Sequence, residues 1–178
     1  PPRSTLFPYT TLFRSPGMKP ADDEDADQVF ERAVTALREM LDAARRFGLA
    51  LSVEPHLDSL LLSVADVQRL LQAVPGLQIT LDFAQMLALK IRLAELEPLL
   101  PQTRHVQFRP AAAGRLQVPL ARSKLDLVAA LNLLRQANYV GALGLEMLPP
   151  AIWGGPARYP MIAELLALRD AVRNARDA

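Results

Sequence analysis

Residues 49–58 read LALSVEPHLD, and the organisation of the whole chain can be worked out from them. Leu49, Leu51 and Val53 alternate with Ala50 and Ser52, the period of a strand, and the run stops at Glu54, Pro55 and His56. Pro55 has no amide hydrogen to give a ladder, so pairing is expected to end there, with Glu54 at the C-terminal tip of a buried strand. Three later runs share this form: residues 77–82 (LQITLD), 104–109 (RHVQFR) and 142–146 (ALGLE) each end in acidic or polar side chains. Helical periodicity fills the gaps between them. Four strands alternating with helices predict an α/β fold of right-handed βαβ units on a parallel sheet. The C-terminal tips of such strands are where a (β/α)8 barrel or an open α/β sheet gathers its active site.

Composition narrows the function classes. A chain of 178 residues, 51% of them hydrophobic, can build one domain with a real core. A complete (β/α)8 barrel takes about 200 residues or more, usually nearer 250, so about half a barrel is expected here. The formal net charge of +1 and the interspersed Arg and Glu give no basic stripe, which argues against a nucleic-acid partner. There are no cysteines, which rules out disulfides and thiolate metal sites and fits a reducing cytosol. No apolar run approaches the ~18 residues of a membrane span, and no signal-peptide pattern is visible. The expectation is a soluble, cytoplasmic protein with no membrane partner.

Residues 1–16 (PPRSTLFPYTTLFRSP) do not share the pattern. They carry four prolines and neither helical nor strand periodicity, and LFPYTTLFRS resembles translated adaptor or cloning sequence. Residues 1–17 are therefore left out of the fold, and the domain is expected over residues 18–178. The acidic cluster at 22–27 reads as a helix start, because Val29, Ala33, Leu37, Met40, Leu41, Ala44 and Phe47 then fall on one face, with Arg45, Arg46 and Gly48 closing it. Ser63 is the expected cap of a second helix that Pro75 and Gly76 end, and a further helix is expected near residues 93–100. Residues 110–123 form the longest piece without a pattern, a length that often makes a functional lid. Helices are expected at 124–137 and 159–174, the latter with Ile162, Leu165, Leu166, Leu168 and Val172 on its apolar side.

LSVEPH, ITLDFAQ, HVQFRPAAAGRLQ and YVGALGLEM, in that order and spacing, resemble the C-terminal half of the xylose isomerase-like (β/α)8 barrels, the sugar phosphate isomerase/epimerase group. The resemblance runs from about residue 18 to the C-terminus and implies that residues 49–54 are the fifth strand and 142–146 the eighth. It implies a divalent metal held by Glu54, Asp82, Gln107 and Glu146. It also implies catalytic roles for Glu54 and Glu146, which in the family flank a sugar carbon and exchange its proton, and a small-molecule sugar or sugar phosphate as substrate. The family commonly has HxH after the seventh strand and Asp-x-x-His after the sixth. Here these read His105-Val106-Gln107 and Asp82-Phe83-Ala84-Gln85, so glutamine stands in both histidine places. Two Glu, an Asp and a Gln form an all-oxygen set, better suited to Mg²⁺ or Mn²⁺ than to Zn²⁺. Arg109 and Gln117 fit the group's HxxxRxA and following GxxQ, and with His56 and Gln85 they are the expected substrate contacts.

Each assignment has a plainer counterpart at this stage. Glu54 and Glu146 also fit surface carboxylates at strand ends, Asp82 a helix cap, and His56 a loop residue. His105 fits a core position, Arg109 a structural ion pair, and Trp153 simple packing. Three function classes are open: a metal-dependent sugar isomerase or epimerase, a truncated or non-catalytic half-barrel without a complete site, and an endonuclease of the same barrel superfamily. Two histidines and no basic groove speak against the last. Open sheet edges at residues 49–54 and 142–146 are expected to recruit a second copy, giving a homodimer.

Overall fold

The computed structural model describes residues 11–14, 17, 20, 21, 23–156 and 158–177, the first four by their backbone. Five parallel strands lie side by side in chain order: β1 (Thr11–Arg14), β2 (Ala50–Val53), β3 (Gln78–Asp82), β4 (Thr103–Phe108) and β5 (Leu143–Leu145). The helices are α1 (Ala26–Arg46), α2 (Val64–Ala73), α3 (Phe83–Ala88), α4 (Leu127–Gln136), α5 (Pro150–Trp153) and α6 (Met161–Asp177), with 3₁₀ turns at Leu93–Gln102 and Leu120–Arg122. From β2 to β5 strands alternate with helices as the periodicity predicts, and neighbours in sequence are neighbours in the sheet, as in a barrel wall.

Strand alternation sorts the side chains onto two faces. Leu51, Val53, Ile79, Leu81, Val106 and Phe108 are fully buried and share one core with Val34, Leu37 and Leu41 of α1, Leu70 of α2, Leu131 of α4 and Leu168 of α6. The other parity holds Ser52, Thr80, His105 and Gly144, and two residues further on Glu54, Asp82, Gln107 and Glu146. The apolar core therefore lies between sheet and helices, and a polar ladder climbs the opposite face to the strand tips. Each fully buried Leu or Ile stabilises by roughly 1.5–3 kcal/mol, so a one-residue slip that turned the acids toward the helices would be strongly opposed.

The helix ends follow local chemistry. Asp25 caps α1 by accepting from the amides of Asp27 and Gln28 at 2.8 and 3.2 Å, and Gly48 (φ 66°) ends it by donating to the Arg45 carbonyl. Ser63 caps α2 through the Asp66 amide, as expected. The buried stripe of α1 is Phe30, Val34, Leu37, Leu41 and Ala44; Phe47, placed on it from the sequence, is the cap residue and 79% exposed, because beyond the last turn its side chain leaves the sheet-facing side. Similarly α6 buries Leu168, Val172 and Ala175, whereas Ile162 and Leu166 are exposed. The helix expected near 93–100 is a 3₁₀ stretch, since Pro98 and Pro101 within it withhold amide hydrogens.

Two expectations need correcting. Residues 1–17 were left out of the fold, yet Thr11–Arg14 pairs with Ala50–Val53, and Gly17 accepts the Leu60 amide at 3.1 Å. The run TLFR is β-prone and stands clear of Pro8 and Pro16, and β2 has an edge that it satisfies. The edge at residues 49–54 is thus covered, and the outermost strands are β1 and β5. Deleting residues 1–16 returns the β2 edge to solvent, and light scattering after size exclusion should then show more self-association than the full chain gives. A truncated chain eluting identically would show that β1 protects nothing.

The second correction concerns residues 110–123, expected as a lid. Val118 N donates to Pro110 O at 2.9 Å, Lys124 N to Ala111 O at 2.8 Å and Gly114 N to Ala88 O at 3.2 Å, and Ala111, Gln117 and Val118 are buried. A loop can be buried only when its backbone groups find partners, and this one has found them, so it is a fixed wall. Among the described residues no helix is long and apolar enough to cross a membrane.

Candidate active site

Glu54 and Glu146 stand one residue past β2 and β5, and Asp82 is the last residue of β3. Parallel pairing brings these tips together, so that each carboxylate offers an oxygen within 4.8 Å of the other two. Gln107 is in register with Asp82 on one side and Gly144 on the other, which places it in the same arc. Arg109, only 1% exposed, donates from Nη2 to Asp82 Oδ2, and its Nη1 lies 3.4 Å from Glu146 Oε2. Asp82 fills both roles left open by the sequence: Oδ1 caps α3 by accepting the Ala84 amide at 2.7 Å, while Oδ2 takes Arg109 into the acid cluster.

Around the acids, side chains of the neighbouring loops fix positions. Gln85 lies near enough to the Glu54 carboxylate to favour its charged form, and it accepts the Leu57 amide at 3.3 Å. His56 is half-buried in the turn that Ser59 holds through His56 N and O, and it does not join the converging acids. Burial lowers its pKa, which keeps the ring neutral near pH 7. Gln117 uses both amide ends on Leu148, donating to its carbonyl at 3.2 Å and accepting its amide at 2.7 Å, so it fixes the chain two residues beyond Glu146.

Sequence reasoning passed over the layer beneath. Ser52 Oγ and Thr80 Oγ1 are 2.8 Å apart and buried, one strand position pair below Glu54 and Asp82. The signal was present, since a hydroxyl stands two residues before both Glu54 and Asp82. His105 is half-buried over Gly144, where a β-carbon would come within 2.8 Å of its Nε2, so glycine is what lets the ring sit there.

The electrostatics of the cluster are set by burial. The Glu54 carboxyl is pushed up to about 7, first by desolvation and then by repulsion from Asp82 and Glu146, against the pull of Arg109 and the Gln85 side chain. Asp82 is pushed up to about 6, because complete burial outweighs the attraction of Arg109 and the Ala84 amide. Gln107 Oε1 and Glu146 Oε2 are buried acceptors with no hydrogen-bond donor among the described residues. Each such oxygen costs about 1–3 kcal/mol if left so. With all three acids ionised and Arg109 charged, the formal sum is two negative charges, which one divalent cation cancels.

The donor set fits such an ion. Oxygens on a six-coordinate Mg²⁺ stand ~3.0 Å apart when adjacent and ~4.2 Å when opposite, so three acids with oxygens within 4.8 Å of one another would draw together around such an ion.

A family model described as "Xylose isomerase-like TIM barrel" matches residues 9–171. No curated protein sequence matches the chain. Among solved structures, similar folds include the 3-keto-D-glucoside 4-epimerase of E. coli (21% identity, TM-score 0.69, 86% of this chain and 57% of that one). The probable 3-DHS dehydratase AsbF of Bacillus anthracis (19%, 0.70, 90% and 63%) is another. So is the D-psicose 3-epimerase of Clostridium cellulolyticum H10, solved with D-tagatose (16%, 0.70, 87% and 59%). This chain thus spans about three fifths of the length of these proteins.

Proposed function

The chain belongs to the xylose isomerase-like TIM barrel family, and on that footing we propose that its acid cluster serves metal-assisted proton transfer at a sugar carbon next to a carbonyl, the reaction of a sugar or sugar phosphate isomerase or epimerase. The reading rests chiefly on one observation: three carboxylates converge with oxygens within 4.8 Å of one another, and two buried oxygens there, Gln107 Oε1 and Glu146 Oε2, accept no hydrogen bond among the described residues, although Arg109 lies 3.4 Å from the latter. A divalent cation answers both deficits together. Held by Glu54, Asp82, Gln107 and Glu146, Mg²⁺ or Mn²⁺ would polarise the substrate carbonyl and so acidify the neighbouring C–H.

The chain's own groups then move the proton. Glu54 takes it from the carbon onto a carboxylate oxygen while the C–H electron pair shifts toward the carbonyl oxygen. For epimerisation Glu146 gives the opposite face of that carbon a proton it has first taken up from solvent, and Glu54 releases its own to solvent; for isomerisation the proton on Glu54 goes to the former carbonyl carbon while the neighbouring hydroxyl proton passes to the former carbonyl oxygen. Arg109, itself buried, keeps Asp82 and Glu146 in place, and His56 and Gln85 border the approach beside Glu54. Gln117 supports Glu146 through Leu148.

The test is NMR detection of solvent deuterium entering a ketohexose at the carbon next to its carbonyl, with and without Mn²⁺. Incorporation should need Mn²⁺ and fall by roughly 10²–10⁴ in Glu54→Gln and in Glu146→Gln, the range for loss of a positioned acid or base. The second reading, a half-barrel without a complete site, draws on the three-fifths span relative to its structural neighbours. Absence of exchange across a panel of ketoses and ketose phosphates would favour it.

A further inference from the structure

A cleft of about 330 Å³ opens between the loop after β4 and the short helix α5, lined by Leu57, Arg115, Gln117, Ile152 and Trp153 among others. Two of its lining residues are tied to the segments that carry the acids. Leu57 is three residues beyond Glu54, a separation of at most ~10 Å along an extended chain, and Gln117 is clamped to Leu148, two residues beyond Glu146.

The walls are fixed in advance. The Leu57 amide is bonded to Gln85, the indole Nε1 of Trp153 donates to the Leu148 carbonyl at 3.1 Å, and the ring packs edge-on against Tyr159 with centroids 5.0 Å apart. Gly155 lies so close to the indole that a β-carbon there would come within 2.2 Å of Cζ2. Trp153 is nevertheless only partly buried, so it presents a rigid aromatic surface to the cleft.

Charge in the cleft is one-sided. None of its lining residues is acidic, and Arg115 is its one charged residue, exposed and with no ion pair among the described residues. The acid cluster holds three carboxylates against one guanidinium. An anionic group is therefore drawn to Arg115, whose planar fork suits phosphate and carboxylate oxygens, whereas the acid cluster carries no net positive charge even with a divalent cation in it. A sugar with its anion on Arg115 thereby has its other, carbonyl-bearing end free to turn toward the acids.

We propose that this cleft is the subsite for the anionic end of the substrate, a terminal phosphate or carboxylate on a sugar, held by Arg115 with the carbon chain against Trp153. The proposal rests on reading the acid cluster as a sugar-transforming site, but its test does not need turnover. Trp153 is the only tryptophan in the chain, so intrinsic fluorescence reports on this cleft alone.

Titration with D-fructose 6-phosphate, D-glucuronate and D-fructose should change the emission, with half-saturation roughly tenfold lower for whichever charged sugar the subsite takes than for D-fructose. The two charged probes tell phosphate from carboxylate. Arg115→Gln should remove the advantage and Arg115→Lys keep part of it; the exposed, unpaired side chain makes misfolding of either variant a minor concern, and circular dichroism checks it. Equal half-saturation for charged and neutral sugars, or a charged-sugar advantage that survives Arg115→Gln, overturns the subsite. An Arg115-dependent advantage without Mn²⁺-dependent deuterium exchange supports the subsite and fails the reaction instead.

Discussion

Replacing Arg109 by methionine is expected to destabilise the domain by about 3–5 kcal/mol, the usual result of removing one partner from a buried ion pair. For a chain of this size that corresponds to a fall in melting temperature on the order of 10 °C. The reason is what remains behind. Asp82 is wholly buried, and its carboxyl is pushed up to about 6 even with the guanidinium against it. Without Arg109 the carboxylate keeps its desolvation cost and the repulsion of Glu146, with only the backbone amides of Ala84 and Gln85 in compensation. The loss should therefore depend on pH. It should be smaller near pH 5, where Asp82 can take up a proton, and larger near pH 8, where it must stay charged or be forced neutral. The double variant Arg109→Met with Asp82→Asn should recover part of the loss, because it removes the stranded charge. Urea denaturation of the three proteins at both pH values decides the matter, and a single variant melting within two degrees or so of the parent would mean that the pair is not what holds the site together.

The strand tips were legible from sequence because an acid directly after an apolar alternating run breaks the period, as Glu54 does after Val53 and Glu146 after Leu145. Their mutual contacts were not. That Arg109 reaches Asp82, twenty-seven positions earlier, depends on register. The register shifts by one residue between Ile79 and Thr80, which is what sets Asp82 opposite Gln107. Local sequence around residue 79 carries no mark of that shift. Gln117 was assigned to substrate for a related reason: an amide has the same donors and acceptors whether it meets a sugar or the Leu148 backbone, and only the fold decides which. β1 was missed because prolines dominate the composition around it, while the four residues between them satisfy a neighbouring edge that exists only once β2 is in place.

Without a bound divalent cation, the protein should lose stability as pH rises from about 4.5 to about 7, the reverse of the usual acid denaturation. Glu54 moves from 4.5 to about 7 on folding and Asp82 from 3.8 to about 6, so both hold protons more tightly folded than unfolded. Stability from these groups is then fully present below their unfolded values and is lost as pH climbs through the folded ones. A shift of this size at Glu54 is worth on the order of 2–3 kcal/mol after allowance for its partial exposure, or several degrees of melting temperature. Mn²⁺ acts in the opposite direction. It binds deprotonated carboxylates, so its affinity should rise through the same pH range, and it should raise the melting temperature more near pH 7.5 than near pH 5. The metal preference depends on Gln107. Its amide oxygen is a hard, neutral donor, and Gln107→His exchanges it for an imidazole nitrogen, so the variant should gain more affinity for Zn²⁺ than for Mn²⁺ in calorimetric titrations. Glu146→Gln should weaken every divalent ion, since it removes one of the charges that draw the cation in. The site would be refuted by a metal-free melting temperature that stays flat from pH 4.5 to 7 together with Mn²⁺ shifts equal at both pH values, because three carboxylates within 4.8 Å of one another cannot be indifferent both to protons and to a cation.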